Sequence, residues 1–388
     1  MSDQDPVANG STDSEAAAQG PPPASRPIPD RPAEDPDVLN RRELFRIAAL
    51  AGPLAAAQWA AGGASVVAAA DDRSDAAEGR APAYGKPRPD RGDASAPRRY
   101  AMKKSFNLWA LPYPDAMSLA DCFELAKQAG FDGVEINFDL EGDVSAASKP
   151  RDLDRVRELA AKIGIEISGL CSFLFWPYPL TSNDPQKRAR GRELAAQMVR
   201  AARRLGTRNL LVVPGAVYIP WAPEDEPVPN DVCWQRATEA VRSLIPLARE
   251  CNVSLNIENI FANGFLLSPD DMNRFVDQFD SDVVGIHFDT GNIMQYQFPE
   301  HWIPLCGRRI RNVHFKEYSK RAGTEFTLDS FRPLLDGTTN WPAVIAALDR
   351  VGYRGYLTFE YFRPFPHWPE SLIYQTSDAL DRMLGRKA

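Results

Sequence analysis

At 388 residues the chain can hold one large or two ordinary domains, and its 44% hydrophobic and 25% charged content is that of a folded globular protein. A net charge of −7 argues against a nucleic-acid partner, which calls for a basic stripe. The five cysteines (Cys122, Cys171, Cys233, Cys251 and Cys306) lie far apart without a CxxC pair, so they read as buried small hydrophobes rather than a disulfide framework.

Residues 1–39 are rich in Ser, Asp, Ala, Pro and Gly and poor in large apolar groups, which predicts a disordered leader. Asn40-Arg41-Arg42-Glu43-Leu44-Phe45-Arg46 follows, then an Ala-rich apolar stretch to Ala70. Paired arginines, an apolar residue two places on, a basic residue and a mildly hydrophobic segment resemble a twin-arginine export signal over residues 40–70. Ala68-Ala69-Ala70 offers a small-residue cleavage site. The stretch is long enough to span a bilayer, but Pro53, Gln58 and several glycines make it a poor anchor. The resemblance implies an exported, extracytoplasmic protein that meets the membrane only through this segment. That pathway carries folded proteins, so a metal can be loaded before export. Residues 71–101 are polar with Pro and Gly and read as a flexible linker, which leaves 102–388 as the folded domain.

Within that domain apolar runs alternate with segments of helical period. The strand-like runs fall at 105–111, 133–138, 165–171, 209–213, 253–258, 283–289, 310–316 and 355–360. Helical patterns lie between them, at 118–129, 153–163, 190–205, 234–250, 269–279 and 341–351. Glycines 130, 164, 206 and 352 punctuate helix ends, and Ser268-Pro269-Asp270-Asp271 is a helix start with Ser as N-cap. Eight strands alternating with helices predict a (β/α)8 TIM barrel. A doubly wound open sheet is the alternative, weakened because no Gly-rich phosphate fingerprint follows the first strand.

Four successive runs end in a potential metal ligand: Glu258, Asp289, His314 and Glu360. Side chains alternate along a strand, so Asn256, His287, Asn312, Lys316 and Thr358 should face inward with them. The outward partners are then Ile257, Phe288, Val313 and Phe359, all suited to pack under helices. Strand C-terminal ends form the active face of such a barrel, so the four endpoints should converge there. Three carboxylates and an imidazole suit a hard or borderline divalent ion, manganese first, with magnesium, cobalt or zinc as alternatives. Open coordination positions would take an α-hydroxy carbonyl, and the ion would stabilise the enediolate formed when the neighbouring C–H loses its proton. Glu258 and Glu360 are the candidate acid/base pair, each doubling as ligand, and Lys316 would stabilise negative charge on oxygen.

Candidate substrate contacts are Trp109 at the end of strand one, Glu135 on strand two, Trp176 after strand three, and His287 and Asn292 around strand six. His287 reads as a hydrogen-bonded interior residue, and Glu135 as a partner for a hydroxyl or a neighbouring strand. His301 and His367 receive no role. The loops carrying Phe173, Phe175, Trp176, Tyr178, Tyr218, Trp221, Tyr361, Phe362, Phe365 and Trp368 are aromatic enough to stack on a sugar ring.

From 102 to 385 these residues resemble the xylose-isomerase-like TIM-barrel family of sugar epimerases and isomerases. The matching pieces are Asn256-Ile257-Glu258-Asn259, His287-Phe288-Asp289-Thr290-Gly291-Asn292, Val313-His314-Phe315-Lys316-Glu317 and Thr358-Phe359-Glu360. Ala129-Gly130-Phe131-Asp132-Gly133-Val134-Glu135 and Leu267-Ser268-Pro269 are similar to the family as well. The resemblance implies a divalent metal on Glu258, Asp289, His314 and Glu360, acid/base roles for Glu258 and Glu360, and a small sugar or keto-sugar as substrate. A homodimer is compatible with it. The chain departs from the family pattern at Asn292, where many members have His. It departs again at Gly264, where ketose 3-epimerases carry a Glu, and at Lys320, where they carry an Arg.

The leading expectation is therefore a metal-dependent isomerase or epimerase. A lyase or dehydratase on a keto-sugar or 3-keto-glycoside shares its first step. An apurinic-site endonuclease would need a His-rich three-zinc cluster, whereas this chain has four His in all. A non-catalytic sugar-binding protein would not need paired glutamates around a Lewis acid.

Overall fold

The computed structural model describes residues 99–219, 222, 227–261, 263–320 and 328–387. The expected leader, the twin-arginine-type segment, nearly all of the linker and Trp221 lie outside these residues. No described helix is long and apolar enough to cross a membrane.

Eight parallel strands close into a barrel. They are β1 (Lys103–Asn107), β2 (Gly133–Asn137), β3 (Glu166–Cys171), β4 (Asn209–Val212), β5 (Ser254–Glu258), β6 (Val284–Asp289), β7 (Ile310–Phe315) and β10 (Tyr356–Phe359). A short antiparallel hairpin, β8 (Glu317–Tyr318) and β9 (Phe331–Arg332), sits between the last two. The helices are α1 (Leu119–Gln128), α2 (Pro150–Ile163), α3 (Pro185–Leu205), α4 (Asn230–Cys251), α5 (Pro269–Asp277), α6 (Pro299–Cys306), α7 (Trp341–Arg350) and α8 (Glu370–Met383). This is the TIM barrel that the alternation predicts, with β10 hydrogen-bonded to both β1 and β7 to close the ring.

Local chemistry sets the boundaries. Ser118 caps α1 in a reciprocal capping box with Asp121, and Ser268 caps α5 with Pro269 in its first turn. Helix α2 stops at Gly164 (φ 78°), a left-handed residue that costs an L side chain strain. The first strand is shorter than expected. The Asn107 side chain accepts a hydrogen bond from Trp109 N (2.8 Å) and turns Leu108–Ala110 into a 3-10 turn. Trp109 therefore stands on a turn rather than a strand. Proline gave little local signal for α6, which carries Pro304 inside it.

Outward strand residues pack as the alternation requires. Phe288 lies against Trp302 of α6 (ring centroids 6.2 Å apart) and Phe315 against Trp341 of α7 (4.1 Å). Each such buried ring is worth about 1.5–3 kcal/mol relative to exposure. At the opposite end of the barrel, buried Lys104 on β1 reaches Asp381 (2.7 Å) and Ser377 (2.8 Å) of α8, latching the last helix to the first strand.

Beyond β7 the Glu317 carboxylate is buried and fully engaged. It accepts hydrogen bonds from the backbone N–H groups of Tyr318, Leu335 and Thr339 (3.1 Å each) and from the Trp341 indole (2.6 Å). One side chain thereby ties the hairpin, the following turn and the start of α7 to the end of β7.

Candidate metal centre

Glu258 ends β5, Asp289 ends β6, His314 is the fifth residue of β7, and Glu360 follows β10. Register brings them to one level: Asp289 pairs with His314, and His314 with Thr358, two residues before Glu360. A one-residue shift between β6 and β7 at Ile286/His287 sets this alignment. One ligand atom from each of the four residues lies within 4.8 Å of those from the others, and all four side chains are buried.

His314 Nδ1 faces Glu360 Oε1 (3.3 Å), Glu258 Oε1 (3.6 Å) and Asp289 Oδ2 (3.8 Å) without a hydrogen-bond partner. Its other nitrogen, Nε2, is 2.7 Å from Glu135 Oε2. A carboxylate there holds a proton on Nε2 and turns Nδ1 toward the centre. Glu135 is steadied in turn by Asn107 Nδ2 (2.8 Å). Gly169 on β3 makes its room, since a Cβ there would come 2.8 Å from Glu135 Oε1.

Asp289 is fixed as tightly. Its Oδ1 accepts from the N–H groups of Gly291 and Asn292 (2.8 Å each), leaving Oδ2 to the centre. The Asn259 side chain bonds both backbone groups of Asp289 (2.9 and 2.8 Å). Lys316 Nζ stands 2.9 Å from Asp289 Oδ2, contacts Glu360 Oε2, and donates to Asn292 Oδ1 (3.0 Å). Its stem passes Gly291, where a Cβ would meet Lys316 Cγ at 2.8 Å. The ammonium also lies over the rings of Phe261 (5.3 Å), Phe331 (4.8 Å) and Phe362 (4.8 Å).

Electrostatics divide the carboxyls. Burial pushes Glu258 up to about 7, with His314 opposing and Glu360 reinforcing. Glu360 is likewise buried, but the charges of His314 and Lys316 outweigh burial and hold it down at about 2. Burial raises Asp289, with Lys316 opposing. Burial disfavours charged His314, yet Glu360 and Glu135 raise it well above the usual imidazole value.

The donor set fits a divalent cation. With all three carboxylates ionised and His314 neutral, the state in which they would hold a cation, the single Lys316 ammonium leaves an excess of two negative charges. Asp289 Oδ2 and Glu360 Oε2 meet that ammonium as ion pairs without a well-directed hydrogen bond. Three oxygens and one nitrogen suit manganese, magnesium or cobalt better than a structural zinc.

Above the centre opens a cleft of about 630 Å3 of empty space. Of the expected substrate contacts, Trp109, Trp176 and Asn292 line it, together with Glu258, Glu360 and Lys316. Glu135 and His287 do not: both are fully buried beneath the ligands, where they touch His314 instead. His287 packs edge-on to His314 (4.1 Å), and neither of its ring nitrogens has a hydrogen-bond partner, contrary to the hydrogen-bonded role expected of it. Phe173 and Phe362, from the aromatic loops, also line the cleft, whereas Tyr218 and Trp368 are exposed. Sequence reasoning missed Leu211, Val213, Ile260 and Phe261, which line it as well. The apolar Ile260-Phe261 pair just past Glu258 was the available signal.

Residues 123–382 match the pattern of the Xylose isomerase-like TIM barrel family. The provisionally named L-ribulose-5-phosphate 3-epimerase SgbU of Escherichia coli K12 is 26% identical over 242 residues, 61% of this chain and 81% of that protein. A solved L-ribulose 3-epimerase superposes with a TM-score of 0.61 at 19% identity, over 74% of this chain and 96% of its own. The 3-keto-D-glucoside 4-epimerase YcjR of Escherichia coli gives 0.58 at 16% identity, over 73% and 98%. At those identities the structural likeness concerns the fold alone. The sequence match covers most of the barrel, and the chain belongs to the Xylose isomerase-like TIM barrel family.

Proposed function

We propose that the chain is a divalent-cation-dependent epimerase or isomerase of a sugar or keto-sugar. The observation that carries this reading is the convergence of Glu258, Asp289, His314 and Glu360 at the floor of a cleft. Relatives named as sugar 3-epimerases agree with it. A bound cation would polarise the substrate carbonyl and offset the negative charge developing on its oxygen.

The protein's own groups do the rest. Glu258 and Glu360 stand on strands separated by two others in the ring, so they reach the reacting carbon from different sides. One takes the proton next to the carbonyl and the other returns one, and the face of return decides the product. Glu258, with its carboxyl at about 7, sits in the range where a side chain exchanges a proton near neutrality. Lys316 faces the same space and steadies charge on a substrate oxygen. The apolar rim formed by Ile260, Phe261 and Phe362 keeps bulk water off the carbanionic carbon.

The test is solvent deuterium exchange on keto-sugars by manganese-loaded protein. Deuterium should enter next to the carbonyl, and Glu258→Gln and Glu360→Gln should each abolish it. Incorporation with an intact carbon skeleton marks epimerisation or isomerisation, and loss of water or alcohol marks the elimination that shares the first step. Protein that retains its cation yet exchanges no proton with any keto-sugar sinks the reading. Export through the Arg41-Arg42 segment is part of the same proposal, and Arg41→Lys with Arg42→Lys should leave the protein in the cytoplasm.

A further inference from the structure

The cleft has two unlike halves. Its polar groups come from the β5, β6, β7 and β10 side: Glu258, Asn292, Lys316 and Glu360. Among the described residues, the wall above β1, β3 and β4 is made by Trp109, Phe173, Trp176, Leu211 and Val213, with Ser172 as its one hydroxyl. That hydroxyl is spent, because Ser172 Oγ donates to Phe138 O (2.7 Å) and accepts from Leu174 N (3.1 Å). Asn292 on the other side is spent as well, donating to Asn259 O (3.0 Å) and accepting from Lys316 (3.0 Å). Among the described residues, and apart from the indole N–H groups of Trp109 and Trp176, the polar groups of the cleft are concentrated around the cluster of Glu258, Asp289, His314 and Glu360.

A free ketose carries an oxygen on every carbon. With its carbonyl at the centre, its far hydroxyls would lose water against Leu211 and Val213 and regain no partner there. A phosphate would fare worse, since Lys316 is the only cationic side chain among the described residues lining the cleft, and Asp289 and Glu360 already hold it. An aromatic ring has no such cost. Trp109 and Phe173 already meet edge to face with centroids 6.5 Å apart, and Trp109 and Phe362 lie 5.4 Å apart, so the wall presents ring faces and edges to a further ring.

We propose that the substrate is a non-phosphorylated carbonyl glycoside with an aromatic aglycone. The sugar lies over Glu258, Lys316 and Glu360, and the aglycone lies against Trp109, Phe173 and Trp176. This rests on the sugar-carbonyl reading of the centre and narrows it to one substrate class.

The experiment is calorimetric binding to the full chain loaded with manganese, using phenyl and methyl 3-keto-β-D-glucopyranoside, D-fructose and ribulose 5-phosphate. The phenyl glycoside should bind about tenfold tighter than the methyl one, an increment of the size expected for a buried ring, and the other two more weakly than either. Trp176→Ala should bring the phenyl-to-methyl ratio close to one with little change for the methyl glycoside. Val213→Thr keeps the wall's shape and adds a hydroxyl, so it should lower the same ratio without loss of folding. Equal affinity for the two glycosides, no binding of either, or tighter binding of fructose or the phosphate overturns the proposal. The ratio is read from binding alone. It can therefore fail while manganese retention and deuterium exchange persist, and those two measurements judge the broader reading separately.

Discussion

Glu135 Oε2 lies 2.7 Å from His314 Nε2, on the side of the imidazole away from the four-ligand centre. The carboxylate fixes which nitrogen is protonated and which points at the cluster, so it would act on a bound cation through His314. Glu135→Gln keeps the shape but removes the charge, and manganese affinity should fall about 10- to 100-fold. Titration calorimetry checks this, and an unchanged affinity would mean that His314 is oriented by packing alone.

Gly169→Ala reaches the same pair from a neighbouring strand. A Cβ 2.8 Å from Glu135 Oε1 must push that carboxylate toward or off His314. A cost of about 1–3 kcal/mol in stability is expected, as for other overpacked interiors. Manganese affinity should fall with it, whereas Gly169→Ala combined with Glu135→Ala should recover stability. Urea unfolding of the single and double variants decides.

Proton release should accompany cation binding. Glu258 has a carboxyl raised from 4.5 to about 7, so an incoming cation must displace its proton below that pH. Manganese affinity should therefore climb as pH rises through about 7, and go on climbing above it while His314, raised well above the usual imidazole value, also gives up its proton. Without cation the stability effect has the opposite slope. A raised pKa means that the folded state binds the proton more tightly, so the contribution is full below about 4.5 and is lost as pH rises through about 7. Melting curves of the wild type and Glu258→Gln from pH 4 to 8 isolate it. Their difference should shift against the wild type as pH rises.

Lys316→Met keeps the length of the side chain and removes its charge. Asp289 and Glu360 then lose the ammonium that neutralises them inside the protein. Breaking one partner of a buried ion pair typically costs about 3–5 kcal/mol, so the cation-free variant should melt well below the wild type. Manganese should restore more of that loss than it adds to the wild type. A variant as stable as the wild type without cation would show that the carboxyls are neutral there.

The parts of this fold written in local pattern were legible. Strand alternation gave the barrel, and the outward positions of Phe288 and Phe315 followed from the inward positions of His287 and His314. The convergence of Glu258, Asp289, His314 and Glu360 was readable because each lies at or next to the C-terminal end of its own strand. What local pattern does not carry is who stands behind whom. Glu135 and His314 are 179 residues apart and meet only because the barrel closes. Glu135 was therefore expected to meet a hydroxyl or a neighbouring strand; it does bond Asn107 of neighbouring β1, but its contact with His314 across the barrel was not foreseen. His287 was expected to find hydrogen bonds because buried polar groups usually do. The hairpin β8–β9 left no trace in periodicity, since two-residue strands are too short to show one. Leu211 and Val213 looked like ordinary strand interior, and only the cleft shows that they face a ligand.

The Glu317 carboxylate, with its four donors, also sets a hierarchy of opening motions. The donors come from three stretches of chain, the hairpin, the turn at 335–339 and the start of α7, and none can leave without taking a partner from a buried carboxylate. The turn at 335–339 should thus not fray as a surface loop does. Its amides at Leu335 and Thr339 should exchange with solvent only when β7 itself comes apart, as one cooperative unit with the strand that carries His314.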